Sequence, residues 1–191
     1  MSKLSFSSDE LADELQRIKY RRRFWIALRN TLYVLFAVAG LAILIAVIWL
    51  PVLRIYGSSM NKTLTEDDIV LTQKGASVKK GDILAFYYNN KVLVKRVIAK
   101  SGDWVTVDSQ GDVYVNQKKL KEPYLQHKAL GESNIKYPYQ VPDQQIFVMG
   151  DNRKTSIDSR NTAVGTVSQE QIIGRIFFKV WPLQKLGPIS Q

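Results

Sequence analysis

The distribution of apolar and charged positions divides the chain near residue 54. From Thr31 to Leu53 no residue carries a charge, and as a helix these 23 residues span about 35 Å at ~1.5 Å per residue, enough to cross a bilayer core with some tilt. The run is longer, and lies further from the start, than the apolar centre of a cleaved leader, which is roughly 7–15 residues. It is expected to be a single transmembrane anchor. Trp25 and Tyr33 at one end and Trp49 and Tyr56 at the other suit the two headgroup zones. Ahead of it, Leu11, Leu15 and Ile18 stand at helical spacing behind a capping Ser7 or Ser8, which predicts a short surface helix within residues 5–20.

Beyond residue 54 the pattern changes to short runs rich in Val, Ile, Phe and Tyr, bounded by turn residues. Ile69–Thr72, Ile83–Tyr88, Val92–Ile98, Trp104–Val107, Val113–Val115, Gln145–Met149 and Ile172–Phe178 read as strands. Asn89-Asn90 and Gln110-Gly111 read as hairpin turns. The fold class is mainly β: a membrane helix, then an antiparallel β domain that is a sandwich or a partly closed barrel.

Charge sets the orientation. The chain has 27 Lys and Arg against 17 Asp and Glu, a net charge of +10. The excess is spread along its length, and the one dense basic tract, Lys19 to Arg23, lies immediately before the apolar run. That placement fits membrane topology rather than nucleic acid. Residues 1–30 are expected in the cytoplasm, 31–53 in the cytoplasmic membrane and 54–191 outside, with the lipid bilayer as a partner.

With no cysteine, disulfides, thiolate nucleophiles and Cys-based zinc sites are excluded. The one histidine, His127, sits in a polar stretch that reads as solvated surface, so serine chemistry needs another base. Tyr56-Gly-Ser-Ser-Met60 follows the anchor and places two hydroxyls within ~20 Å of the bilayer edge; the same composition also makes a plain turn. Lys95 lies in the strand-like run 93–98, where alternation sends it and Arg96 to opposite faces, so one of the two must point inward or lie at a sheet edge. A desolvated lysine loses its proton readily and can act as a base, whereas a solvated edge lysine cannot. Met149-Gly-Asp-Asn-Arg153 and Ser156-Ile-Asp-Ser-Arg160 form a loop dense in small and charged residues, with a possible Asp158 to Arg160 ion pair; a plain surface loop has the same look. It lacks metal-ligand spacing with histidine.

Taken in order, these features resemble the bacterial type I signal peptidases, in the single-anchor form of Gram-positive bacteria. Gly57-Ser-Ser-Met60 through Leu64 is similar to the serine box, Gly81-Asp82-Ile83 to the strand-opening segment, Lys95 to Ile98 with Gly102-Asp103 to the lysine box, and Gly150 to Arg160 to the last box. The resemblance implies that Ser59 is the nucleophile, that Lys95 is the general base, that Ser156 orients the lysine, and that Asp158 and Arg160 brace the site. It further implies shallow pockets for small residues formed at or near Met60, Ile83, Phe86, Leu93 and Val94. Signal-peptide-bearing preproteins would be the substrates, with no cofactor or metal, and residues 104–140 would form a smaller β excursion. An oxyanion hole would use the Ser59 N–H; Gly57 stands where some relatives carry a hydroxyl donor. Asn61-Lys62 replaces a segment that commonly has proline, and Ala99-Lys100-Ser101 departs from the usual Gly-Leu-Pro. The rival readings are a catalytically idle relative that binds exported proteins, and a Ser/Lys self-cleaving repressor or processing peptidase.

Overall fold

The computed structural model describes residues 8–189 and divides into two units at Ile48/Trp49. The first is formed by α1 (Ser8–Trp49), one unbroken helix whose last residue already belongs to the second unit. The expected surface helix is therefore the beginning of the anchor helix, because residues 8–39 contain neither glycine nor proline to interrupt it. Ser7, the alternative cap, lies outside the described residues. The most apolar stretch of α1 has a mean hydropathy of 2.7 and is apolar on every side, as a lipid-exposed helix is. The helix ends at Trp49 and not at Leu53, since Pro51 disfavours the helical conformation for Leu50.

Among the described residues the second unit holds twelve strands. They are β1 (Val52–Arg54), β2 (Ile69–Gln73), β3 (Ile83–Tyr88), β4 (Lys91–Lys100), β5 (Trp104–Val107), β6 (Val113–Val115), β7 (Lys118–Lys119), β8 (Tyr139–Gln140), β9 (Gln145–Met149), β10 (Val167–Ser168), β11 (Ile172–Trp181) and β12 (Gly187–Pro188). Eight form one antiparallel sheet in the order β1-β2-β11-β3-β4-β9-β10, with β12 beside β11. The other four form a small sheet, β7-β6-β5-β8. Residues 104–140 thus contain all four strands of the small sheet.

β3 shows why the large sheet forms. Its side chains alternate between two cores: Ile83 and Ala85 join Met60, Leu64 and Val70, while Leu84 and Phe86 join Val97, Val148 and Val167. A strand covered on both faces reads as an uninterrupted apolar run. A third cluster, with Ile98, Phe147 and Met149 from the large sheet and Val105, Val113 and Val141 from the small sheet and its edge, fastens the two sheets together. Asn89 at φ 49° supplies the turn between β3 and β4, in which Tyr88 faces Lys91.

Candidate active site

The loop between β1 and β2 carries both serines. Met60 and Leu64 are buried in the core beneath it, and the Leu64 N–H donates to the Met60 carbonyl at 2.9 Å. The far end is tied down by Asp68, which accepts the Thr65 N–H at 2.8 Å and Lys179 Nζ at 2.5 Å. Gly57 turns the chain at φ +81°, a backbone that residues with a side chain adopt only with strain. Ser58 is thereby left exposed, and Ser59 half-buried.

β4 brings Lys95 to Ser59. Lys95 is 3% exposed, and its Nζ donates to Ser59 Oγ at 2.7 Å. Its pKa is pushed down to about 8, chiefly because burial disfavours the ammonium; Arg160 acts in the same sense, and Asp158 and Asp151 partly oppose it. Arg96 is also buried, so both basic residues go inward, not one. Arg96 meets this with a two-pronged ion pair to Asp151, at 2.8 and 2.7 Å, and a bond from Nη1 to the Gly81 carbonyl at 2.7 Å. Charge in such surroundings is tolerated only when paired in this way.

The third component is the loop from Gly150 to Arg160. Asp158 is fully buried, and its carboxylate accepts the Gly150 N–H at 2.9 Å, the Ser156 hydroxyl at 2.6 Å and two Arg160 nitrogens at 2.8 Å. Burial alone would raise its pKa, but these donors outweigh burial and hold it below the ordinary carboxylate value. Ser156 therefore points its hydroxyl at Asp158. Among the described residues, the side-chain hydrogen bond of Lys95 is the one to Ser59. The loop grips the serine directly: the Asn152 N–H donates to the Ser59 carbonyl at 3.0 Å and its side chain to the Ser58 carbonyl at 3.2 Å. Gly150 allows this approach, since a Cβ there would lie 2.6 Å from the Ser59 carbonyl oxygen and 2.3 Å from Ser156 Oγ.

A cleft of about 490 Å³ opens beside the pair, lined by residues 52–57 along one wall and 91–95 along the other, with Ser59 and Met60. Leu93, Val94 and Met60 are thus placed in it. Phe86 is not: it is fully buried in the core with Leu84 and Val148, and its partner Leu93 stands on the same face of the sheet but nearer the cleft. Ile83 lies on the Met60 side but is buried within that core, outside the cleft lining. Another cavity, of about 470 Å³, is lined by residues 75–78 and 144–146 among others. Its one lysine, Lys100, already donates to the Val78 carbonyl at 2.6 Å.

Sequence reasoning did not single out Thr63 or Asp151. Thr63 Oγ1 donates to Asp151 Oδ2 at 2.5 Å, joining the serine loop to the Arg96 ion pair. The signal was available in Arg96: a second basic residue in a strand covered on both faces requires a carboxylate nearby.

A profile of the family described as "Signal peptidase, peptidase S26" matches residues 28–181. The chain belongs to this family. It is 35% identical over 165 residues to signal peptidase I of Bacillus amyloliquefaciens, covering 76% of this chain and 88% of that one. It is also 35% identical over 145 residues to probable signal peptidase I-2 of Synechocystis, covering 70% of this chain and 64% of that longer relative. A crystal structure of a signal peptidase I from Enterococcus faecalis V583 matches 52% of this chain and 97% of that one, at 28% identity and a TM-score of 0.43. This signal peptidase is membrane-anchored, and its activity is the removal of signal peptides from preproteins.

Proposed function

We propose that Ser59 and Lys95 are the reacting pair of this peptidase, and that it works at the outer face of the cytoplasmic membrane. The observation that carries the reading is the 2.7 Å contact between Lys95 Nζ and Ser59 Oγ, with the lysine buried. At a pKa of about 8, a useful share of the lysine is neutral near physiological pH. The neutral amine takes the Ser59 hydroxyl proton as Oγ adds to the scissile carbonyl carbon. The Ser59 backbone N–H is the donor available to the resulting oxyanion. Collapse breaks the C–N bond, and the Lys95 ammonium gives its proton to the departing amine. Lys95 then deprotonates a water, which attacks the acyl ester and releases Ser59. Ser156, Asp158 and Arg160 hold the loop against Ser59 without reacting.

The substrate enters as an extended strand. β9 pairs with β4 only from Arg96 to Lys100, and β1 pairs only with β2. The backbone edge of β4 from Lys91 to Lys95 is therefore open on the cleft side among the described strands, as is that of β1. A peptide laid between them gains main-chain hydrogen bonds, while Met60, Leu93 and Val94 admit small side chains. The basic tract before the anchor supports a cytoplasmic N-terminus for residues 1–30, an anchor starting near Thr31, and an external β unit from Trp49.

The test is cleavage of a membrane-inserted preprotein by the full chain, with the new N-terminus mapped and the rate followed against pH. A cut after a small-x-small sequence is expected. Since the ammonium is inactive, kcat/KM should rise about tenfold per unit as pH increases, bend near the lysine value of about 8 and level off above it. At pH 6 it should lie roughly 100-fold below the plateau. A limb still rising at pH 10 would show the base to be an ordinary solvated lysine, and failure to cut any of several preproteins would favour a purely binding role.

A further inference from the structure

We infer that Glu122 and Tyr124, on the segment linking β7 to β8, are positioning residues that lock Arg96 and Arg153 and through them set the Ser59–Lys95 geometry. This rests on the reading of Ser59 and Lys95 as the reacting pair. Both residues belong to the small-sheet excursion, outside every motif that marked the site in the sequence.

The segment reaches back to the two arginines that frame the site. The Arg96 guanidinium stacks 3.9 Å from the Tyr124 ring centroid. Arg153 forms an ion pair with Glu122 in which both side chains are almost completely buried, and the Tyr124 hydroxyl donates to Glu122 at 2.9 Å. Burial, reinforced by the Glu122 charge, raises the Tyr124 pKa, so the phenol stays protonated and remains a donor.

Each arginine leads on to the reacting atoms. Arg96 is the neighbour of Lys95 on β4, and its ion pair with Asp151 extends to Thr63 of the serine loop. Arg153 Nε donates to the Gly150 carbonyl at 3.2 Å, and Gly150 is packed against the Ser59 carbonyl. A shift of either guanidinium therefore moves one side of the 2.7 Å contact. The small sheet does not need these charges for attachment, since its apolar cluster already fastens it. A buried ion pair adds little net stability over an apolar contact of the same shape. What a stacked and bidentate arginine contributes is direction: the planar fork holds one orientation.

The test compares Glu122→Gln, Tyr124→Leu and Tyr124→Phe in the full chain, with rates expressed per folded enzyme. Glu122→Gln and Tyr124→Leu are expected to lower kcat at least about tenfold with KM changed by less than about twofold, as a small misplacement of reacting groups does. Tyr124→Phe keeps the ring over Arg96 and should recover most of that loss. A second readout separates positioning from folding. The groups acting on Lys95 are Asp158, Arg160 and Asp151, none of which these variants alter. A loosened site admits water to the lysine, so the ascending limb should move upward from about 8 by about half a unit or more. Loss explained wholly by a smaller folded fraction, with the limb unmoved, or full kcat in both disruptive variants, would overturn the inference. Ser59→Ala and Lys95→Met are assayed alongside. If either still cleaved, the reading of the reacting pair would fail, whatever the Glu122 and Tyr124 variants showed.

Discussion

Replacing Lys95 by methionine is expected to abolish cleavage and at the same time to make the β unit more stable at neutral pH. The two effects share one cause. Burial lowers the lysine pKa from 10.5 to about 8, so between these values the unfolded chain binds a proton that the folded chain does not, and below them the folded chain carries a desolvated ammonium. Stability then rises with pH between about 8 and 10.5, where the unfolded state still holds the extra proton. Below this window the folded state carries a penalty of about 3 kcal/mol. Methionine fills similar space and has nothing to ionise. Urea unfolding at pH 7 should show a gain of up to about 3 kcal/mol that disappears as pH approaches 10.5. Cleavage should fall by roughly 10⁴ or more, as when a base working in concert with its nucleophile is removed. Ser59→Ala should lose as much activity, whereas Ser58→Ala, which alters an exposed hydroxyl, should be close to wild type. Loss confined to Ser58→Ala would overturn the assignment of the nucleophile, and a Lys95→Met protein that is less stable at pH 7 would contradict a lysine whose charged form is penalised by burial.

The parts of the fold that were legible in the sequence are those fixed by local pattern. All seven runs read as strands are strands, because each combines β-branched or aromatic content with flanking turn residues, even the three-residue Val113–Val115. β1, β7, β8, β10 and β12 span only two or three residues. Such short strands are defined by the partner that pairs with them rather than by their own pattern, as Val52–Arg54 is by Ile69–Leu71, and Val52 and Leu53 were indistinguishable from the end of the apolar anchor.

At the site, alternation predicted one buried basic residue on β4, and the structure buries two. The large sheet has cores on both faces, so neither face of β4 leads to water around Lys95 and Arg96. Phe86 lies outside the cleft although its cross-strand partner Leu93 lines it, since Phe86 is wholly enclosed in the core and Leu93 is not. Ser156 was expected on the lysine, yet its hydroxyl goes to Asp158. A carboxylate two residues away on the same loop is the stronger acceptor, and no sequence motif states which acceptor lies within reach. Glu122 and Tyr124 were invisible for a related reason: 31 residues separate Glu122 from Arg153, and nothing local marks either as a partner.

Asp158→Ala is expected to be the most destabilising single change at the site. It would leave the Arg160 guanidinium, which is not exposed at all, without its carboxylate, and would strand the Gly150 N–H and the Ser156 hydroxyl. Breaking a buried pair from one side costs about 3–5 kcal/mol, to which the lost neutral donors' partners add about 1–3 kcal/mol each at most. Because its folded pKa lies below the ordinary 3.8, the Asp158 carboxylate stabilises the fold throughout the neutral range and loses that effect only as pH falls through the folded value. The part of the deficit that belongs to the carboxylate's own titration should therefore persist through the neutral range and shrink in strong acid, while the part due to its attraction for the Lys95 ammonium fades as pH rises through about 8. Asp158→Asn separates charge from shape. It keeps an acceptor for Gly150 and Ser156 but removes the negative charge that helps to keep Lys95 protonated, so the ascending limb of kcat/KM should move to lower pH even as the plateau falls. This is the opposite direction to the shift expected when water reaches the lysine. Equal stability of wild type and Asp158→Ala in urea would show that Arg160 finds other partners and that the carboxylate does not brace the loop. An unmoved limb in Asp158→Asn would show that the lysine is tuned by burial alone, and would place Asp158 in loop structure without any part in the electrostatics of the base.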